Sequence, residues 1–403
     1  MSGKSIIVMY TFSPFPFGEA ASNRIFALAL CMQKAGYEII VLSNGGKRDC
    51  DYNLEKGAYI YKGIEYRDYS VSRAGKLRRI INRNNIFNII KKHITEEERK
   101  RIGFVYSTYR NYGLLLHFAL KRIFHFPAVV DVTEWHSSNQ FSYGKFNPFY
   151  LLHTIHIQYL LPRAKNIICI TTYLEEYFMK RGCNTVNIPP QVMTKNYIKH
   201  KMPHMPPVRL FYAGTAAKKD YLDIMLDGLS SLNESELLNI QCTLVGMSPD
   251  VFMEQFPRAR NYISSLKNSL HIINRIPKED VDKILSESHF LILMRPKCRY
   301  SNAGFPSKVP EALAAGVPIV TNLTSDLSLY IKDMENGIIV DEFSAASFAS
   351  AVRKTIKISD AQFKRMSKSA YQTAMEHFNY CVHSQDIKRF LDNAQVISKE
   401  VPN

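Results

Sequence analysis

Short runs of apolar, largely β-branched residues recur along this chain, separated by segments with the apolar spacing of helices. The runs lack the period-two alternation of half-exposed strands, so they read as parallel strands covered on both faces. In the first half they fall at 5–10, 38–43, 102–107, 128–132 and 166–171. In the second they fall at 208–213, 241–245, 271–274, 289–294, 318–321 and 337–340. Helical segments are expected at 22–36, with Ser22 as N-cap and Gly36 as stop, and at 219–232, 278–288 and 345–358. A repeated strand–helix order implies α/β architecture with doubly wound sheets.

At 403 residues the chain exceeds what one core accommodates, so two domains are expected. Residues 189–207 (PPQVMTKNYIKHKMPHMPP) are rich in Pro and Lys without periodicity and mark the boundary. The expectation is a first Rossmann-like domain over 1–190, a linker over 191–207 and a second domain over 208–379. A C-terminal helix at about 380–400 is expected to pack back on the first. Two such domains present a cleft between the C-terminal edges of their strands, where ligands bind.

Composition narrows the class. Hydrophobic residues make up 46%, enough for full cores. Seven cysteines, scattered and without a CxxC pair, argue against a disulfide framework or zinc site and for a reducing cytoplasm. The apolar run at 5–12 is too short for a membrane span and reads as the first strand.

Charge is unevenly placed. Residues 1–195 hold 27 Lys+Arg against 14 Asp+Glu, a net of +13. The remainder holds 25 against 22, a net of +3, which together give the +16 of the whole chain. The densest basic run, 73–92 (RAGKLRRIINRNNIFNIIKK), interleaves isoleucines with seven Lys/Arg, a composition suited to anionic lipid or to a solvated face. The aromatic stretch at 141–161 is broken by Pro148 and polar residues, so it is no transmembrane helix. It reads as a core helix or as a second membrane contact.

One stretch carries chemistry: 295–320, RPKCRYSNAGFPSKVPEALAAGVPIV. An apolar strand runs into a polar loop with Gly304 and Pro306, then a short helix over 307–315 that Gly316 stops. A helix starting beyond the C-terminal end of a buried strand presents free N–H groups to an anion. Glu311, one turn in, can reach a sugar hydroxyl. The pattern points to a phosphosugar or nucleotide.

Taken in order, these features resemble the family-4 glycosyltransferases of the GT-B fold, which are retaining, metal-independent enzymes that use nucleotide sugars. PSKVPEALAAGVPIVTN resembles the E-A-x-A-x-G-x-P-V signature, and ENGIIV the N-G-x-L-V after it. LFYAGTAAKKDYLDIMLDGL resembles the first strand and loop of the donor domain, and TLVGMSP its second strand and turn. PFPFGEAASNRIFALALCMQKAGYEIIVLS resembles the loop, helix and second strand of the acceptor domain. The resemblance implies a donor diphosphate met by Lys218 or Lys219 beyond Gly214, and by Arg295, Gly304, Phe305, Ser307 and Lys308, with Glu311 on the ribose. Thr215 stands where an Arg is often found. Gly18 would let backbone approach the donor phosphate, while Glu134 and His136, in the Asp131-to-Ser137 loop at the cleft edge, would contact the sugar or orient the acceptor hydroxyl. Transfer on the front face, with the leaving phosphate taking the acceptor proton, requires no side-chain nucleophile.

The family usually carries two glutamates eight positions apart; the first position here is Ala303, and Pro306 replaces a Gly and removes an N–H donor. The leading expectation is a peripheral transferase on the cytoplasmic membrane face, acting on a lipid-linked or surface-polysaccharide acceptor, with no metal or other cofactor. Its rivals are another GT-B enzyme, such as a sugar-nucleotide epimerase, and a non-enzymatic basic membrane- or nucleic-acid-binding homologue. No nucleic-acid motif accompanies the charge.

Overall fold

The structure, a computed structural model, describes residues 5–18, 20–45, 51–53, 57–70, 86–108, 127–193, 203–214, 219–259, 265–266 and 268–400. The chain divides into two compact units, 1–191 with 380–403, and 192–379.

The first unit holds a nine-stranded sheet. In chain order its strands are β1 (Ile6–Tyr10), β2 (Glu38–Ser43), β3 (Asp51–Asn53), β4 (Ala58–Tyr61), β5 (Ile64–Asp68), β6 (Ile102–Thr108), β7 (Ala128–Val132), β8 (Asn166–Cys169) and β9 (Asn184–Asn187). Across the sheet they run β3-β4-β5-β2-β1-β6-β7-β8-β9. From β5 to β9 every pairing is parallel, with Val8 of β1 opposite Ile40 of β2 and Val105 of β6. All five residues of β1 are buried, as a central strand covered on both faces requires.

Two features depart from the sequence expectation. An antiparallel ribbon, β3-β4-β5, extends the parallel sheet. It is held by aromatic neighbours: Tyr52 and Tyr59 lie 4.7 Å apart and Tyr59 and Tyr66 stack at 5.2 Å. The first helix also begins earlier, at Ala20–Lys34, so Ser22 lies inside it and is not its N-cap. The Ser22 hydroxyl donates instead to the carbonyl of Pro14 at 2.7 Å, tying the β1 loop to the helix. Helix Ser384–Glu400 buries Ile387, Phe390, Leu391 and Ala394, and Asn184 of β9 donates to its Phe390 carbonyl at 3.0 Å.

The second unit holds six parallel strands: β10 (Val208–Ala213), β11 (Ile240–Val245), β12 (Leu270–Ile273), β13 (Phe290–Leu293), β14 (Ile319–Thr321) and β15 (Gly337–Ile339). Their order is β12-β11-β10-β13-β14-β15. The chain winds outward from β10 in one direction and then returns to continue on its other side with β13. The gap beyond the ends of these two strands is the switch point where doubly wound sheets bind ligands.

Candidate active site

Tyr212 is the fifth residue of β10, Gly214 follows that strand, and Arg295 stands two residues past β13. Lys308 begins helix Lys308–Ala314. All four are therefore delivered to the switch point of the second sheet. What joins them is a residue that the sequence reading missed, Asp220.

Asp220 is 5% exposed. Its Oδ1 accepts from Arg295 Nε at 2.7 Å, and its Oδ2 accepts from Lys308 Nζ at 2.5 Å and the Tyr212 hydroxyl at 2.8 Å. Burial works against this carboxylate. The charges and hydrogen bonds of Lys308 and Arg295 outweigh it and hold the carboxyl well below its usual range. Burial, and then the Asp220 charge, push the Tyr212 phenol far above its ordinary value, so it remains a neutral donor. Lys308 Nζ also lies 3.3 Å from the Tyr212 oxygen and 4.6 Å from its ring centre. Two cations share one anion, so the cluster keeps a net positive charge.

The backbone around it is fixed. Asn322, after β14, accepts from the Arg295 N–H at 3.0 Å and donates to the Arg295 carbonyl at 2.6 Å. Among the described residues, Arg295 meets Asp220 through its Nε edge, which leaves its outer Nη groups to an anion. Gly214 is glycine for a steric reason: a Cβ there would stand 2.9 Å from Lys308 Cε and Nζ. Gly246, after β11, has φ +123°, and a Cβ on it would meet the Gly214 carbonyl oxygen at 2.5 Å.

Glu311 lies one turn into the same helix, and its carboxylate accepts from Lys278 Nζ at 3.0 Å. Lys278 also binds Asp282 at 2.7 Å. Burial lowers the Lys278 pKa but the two carboxylates more than compensate, so it is raised and the residue stays charged. Sequence spacing gave no signal for Lys278, which is 33 positions from Glu311.

The remaining candidates are placed unequally. Gly304 follows helix Arg299–Ala303 in extended backbone, and Ser307 stands at the N-cap of the next helix without a side-chain capping bond. The Phe305 ring is buried against Tyr330 and Phe378, with centroids 5.8 and 5.7 Å away, so it serves the core. Ala303, at the position of the usual first glutamate, is fully buried. Lys219 is partly buried beside Asp220. Thr215 and Lys218 lie outside the described residues, as do residues 73–85 of the basic run.

In the first unit, Gly18 lies in the loop after β1, and a Cβ on it would come within 2.2 Å of the Ser22 hydroxyl, so its bareness serves the packing of Ser22. Glu134 and His136 sit together beyond β7, Glu134 Oε2 being 3.2 Å from His136 Nε2. The His136 backbone N–H donates to His153 Nε2 at 3.0 Å. Asp131, expected at a cleft edge, is instead 1% exposed. It forms a two-pronged pair with Arg24, at 2.8 and 2.7 Å, and accepts from the Tyr106 hydroxyl at 3.0 Å. It therefore joins the first helix to the sheet and does not line a cleft edge.

Residues 194–373 match the family described as glycosyl transferases group 1. With the two-sheet fold, that domain makes the chain a glycosyltransferase. The fold is shared with sucrose-phosphate synthase from Thermosynechococcus elongatus at TM-score 0.70 and 13% identity, over 98% of this chain and 100% of that one. It is shared with HepE from Anabaena, solved in complex with UDP and glucose, at TM-score 0.67 and 14% identity, over 96% and 100%. WaaG, a glycosyltransferase involved in lipopolysaccharide biosynthesis, aligns at TM-score 0.60 and 15% identity over 98% and 100%. These structures are glycosyltransferases of the GT-B fold, and the two sheets described above have that architecture. No curated protein matches the chain in sequence.

Proposed function

We propose that this chain is a retaining family-4 enzyme that transfers a sugar from a nucleotide-diphosphate sugar to a lipid-linked or surface-polysaccharide acceptor at the cytoplasmic membrane face. The observation that carries the donor assignment is the convergence of Lys308 and Arg295 at the switch point of the second sheet, both fixed by Asp220. A departing diphosphate needs this: two charge-assisted donors held in place before its negative charge develops. HepE in complex with UDP, and with UDP-glucose, supports a nucleoside diphosphate as the ligand class. The reaction proposed is front-face displacement, in which the leaving phosphate receives the acceptor proton and no resident metal takes part. Glu134 and His136 are the polar groups proposed for the acceptor hydroxyl. No helix among the described residues is long and apolar enough to cross a membrane, which fits peripheral attachment.

The test is a thermal-shift screen of wild type and Glu311→Ala against nucleoside diphosphates and nucleotide sugars. A diphosphate at a hundredfold excess over its Kd stabilises wild type by about 2.7 kcal/mol. In Glu311→Ala the stabilisation at equal concentration should fall to about 0.3–1.3 kcal/mol, because a carboxylate–hydroxyl bond is worth about 1.5–3 kcal/mol. If no nucleotide shifts wild type, the donor assignment fails; equal shifts in both proteins remove Glu311 from the ribose.

Gly214→Ala is expected to act through Lys308. The new methyl meets the flexible end of that side chain. The cost in stability should therefore be small, about 1 kcal/mol, while nucleoside-diphosphate affinity falls several-fold as Lys308 is displaced. Unchanged affinity by calorimetry would show that Lys308 does not face the ligand.

A further inference from the structure

Seven of the eighteen exposed large hydrophobic side chains among the described residues fall between Tyr143 and Tyr159. Tyr143 and Phe146 are 85% and 88% exposed at the tip of a loop, and Phe149 and Tyr159 are 60% and 61% exposed on the helical stretch that follows. That stretch, Pro148–Ile155 continued by a wider turn over His156–Leu160, is inside out. It buries His153, His156 and Ile157 and turns Phe149, Leu152, Ile155 and Tyr159 to solvent. Ordinary amphipathic packing would place the two histidines and these last four the other way round.

Local backbone presents the tip as well. Tyr143 and Gly144 both have positive φ, +65° and +56°. The left-handed region is uncommon for an aromatic residue, and here it closes a tight turn. Asn147 then caps the helix, accepting from the Phe149 N–H at 2.9 Å and donating to the Ser142 carbonyl at 2.9 Å. Tip and helix are thus one braced element carrying an apolar outer face.

Charge identifies the occupant. From Trp135 to Leu174 the sequence contains no Asp or Glu, although the whole chain has 36 in 403 residues. The same stretch carries Lys145, Arg163 and Lys165. An exposed aromatic and aliphatic surface, free of carboxylates and flanked by cations, has the chemistry of the interface between headgroups and acyl chains of an anionic bilayer.

We propose that the element spanning 141–160 inserts into anionic phospholipid membranes, with Tyr143, Phe146, Phe149, Ile155 and Tyr159 among the acyl-chain boundary and Lys145 at the headgroups. The inference rests on the reading of a membrane-side acceptor for its purpose. Its test uses neither donor nor acceptor, so the two can fail separately.

The measurement is co-sedimentation of the full chain with phosphatidylcholine vesicles containing no or 30% phosphatidylglycerol, at low and high salt. Variants are the triple substitution Tyr143→Ser, Phe146→Ser and Phe149→Ser, and the charge reversal Arg78→Glu with Arg79→Glu. Wild type should bind anionic vesicles and retain part of that binding at high salt, because the apolar contribution is not screened. Full burial of one such side chain is worth roughly tenfold in partitioning, so the triple variant should lose at least about tenfold. Phe146→Trp supplies a readout that removes nothing: brominated acyl chains should quench the new indole above the constant background of Trp135, which is buried and the chain's single tryptophan. The proposal is overturned if the triple variant binds like wild type while the charge reversal abolishes binding. It is equally overturned if Phe146→Trp is not quenched, or if the triple variant changes only a dimer–monomer equilibrium in light scattering.

Discussion

Lys308→Ala is expected to lower kcat/KM for the nucleotide sugar by about a hundredfold to a thousandfold, the loss seen when one fixed donor to developing charge is removed. The loss should fall more on kcat than on nucleoside-diphosphate affinity. In the ground state the diphosphate already has its charges and shares them with water. In the transition state, new charge appears on the departing oxygen, and only a donor already in place responds without reorganisation. Lys308 is in place because Asp220 holds it at 2.5 Å and the bare Gly214 gives it room. Hydrolysis of the nucleotide sugar, followed without acceptor, supplies kcat, and calorimetric titration with UDP supplies affinity. Lys308→Arg should recover only part of the loss, since a planar fork does not occupy a lysine's point position. If Lys308→Ala turns over the donor at the wild-type rate, the leaving group is stabilised elsewhere and the site assignment fails.

The second sheet was legible because its strands are continuous apolar runs. Residues 208–213 were bounded to the residue, and β11 through β15 within one or two. The first sheet was legible only where the same rule applied. Strands β3, β4, β5 and β9 were missed because they are short and mix Tyr, Asn and charged residues; a ribbon held by stacked tyrosines has no continuous apolar signature. The site divides in the same way. Arg295, Lys308 and Glu311 stand in one linear stretch, so the sequence alone singled them out. Asp220 and Lys278 act on partners 75 to 88 and 33 positions away, a proximity that only the folded sheet creates. Asp131 shows the converse error. Its loop suggested a cleft edge, but Asp131 is buried and Arg24 and Tyr106 claim both its oxygens. A carboxylate at a strand end is ambiguous until its cations are located, and in both units the cation proved to be distant in sequence.

Asp220 separates positioning from binding. Asp220→Ala should destabilise the protein by about 3–5 kcal/mol, because it leaves Lys308 and Arg295 side by side without their shared counter-ion. Asp220→Asn keeps the shape, loses the charge and should cost less. The sign of the pH dependence follows from the carboxyl's lowered value in the folded protein. Its contribution is fully present above the unfolded carboxyl value of about 3.9 and is lost as pH falls below it. Denaturation curves should therefore show wild type and Asp220→Asn converging below about pH 4, with the full difference at pH 7. The kinetic signature is a split. Removing the negative charge raises the net positive charge of the cluster, so UDP affinity should hold or tighten a few-fold. Meanwhile kcat should fall about tenfold to a hundredfold, because the cations are no longer held where the leaving oxygen will be. In a cycle with Lys308→Ala the two losses in kcat should not add, since both variants break the same 2.5 Å pair. Parallel losses in affinity and kcat, or full additivity in the cycle, would reduce Asp220 to a fold-stabilising carboxylate. The split would instead show that a buried anion beside an anion-binding site earns its place by fixing the cations that serve the leaving group.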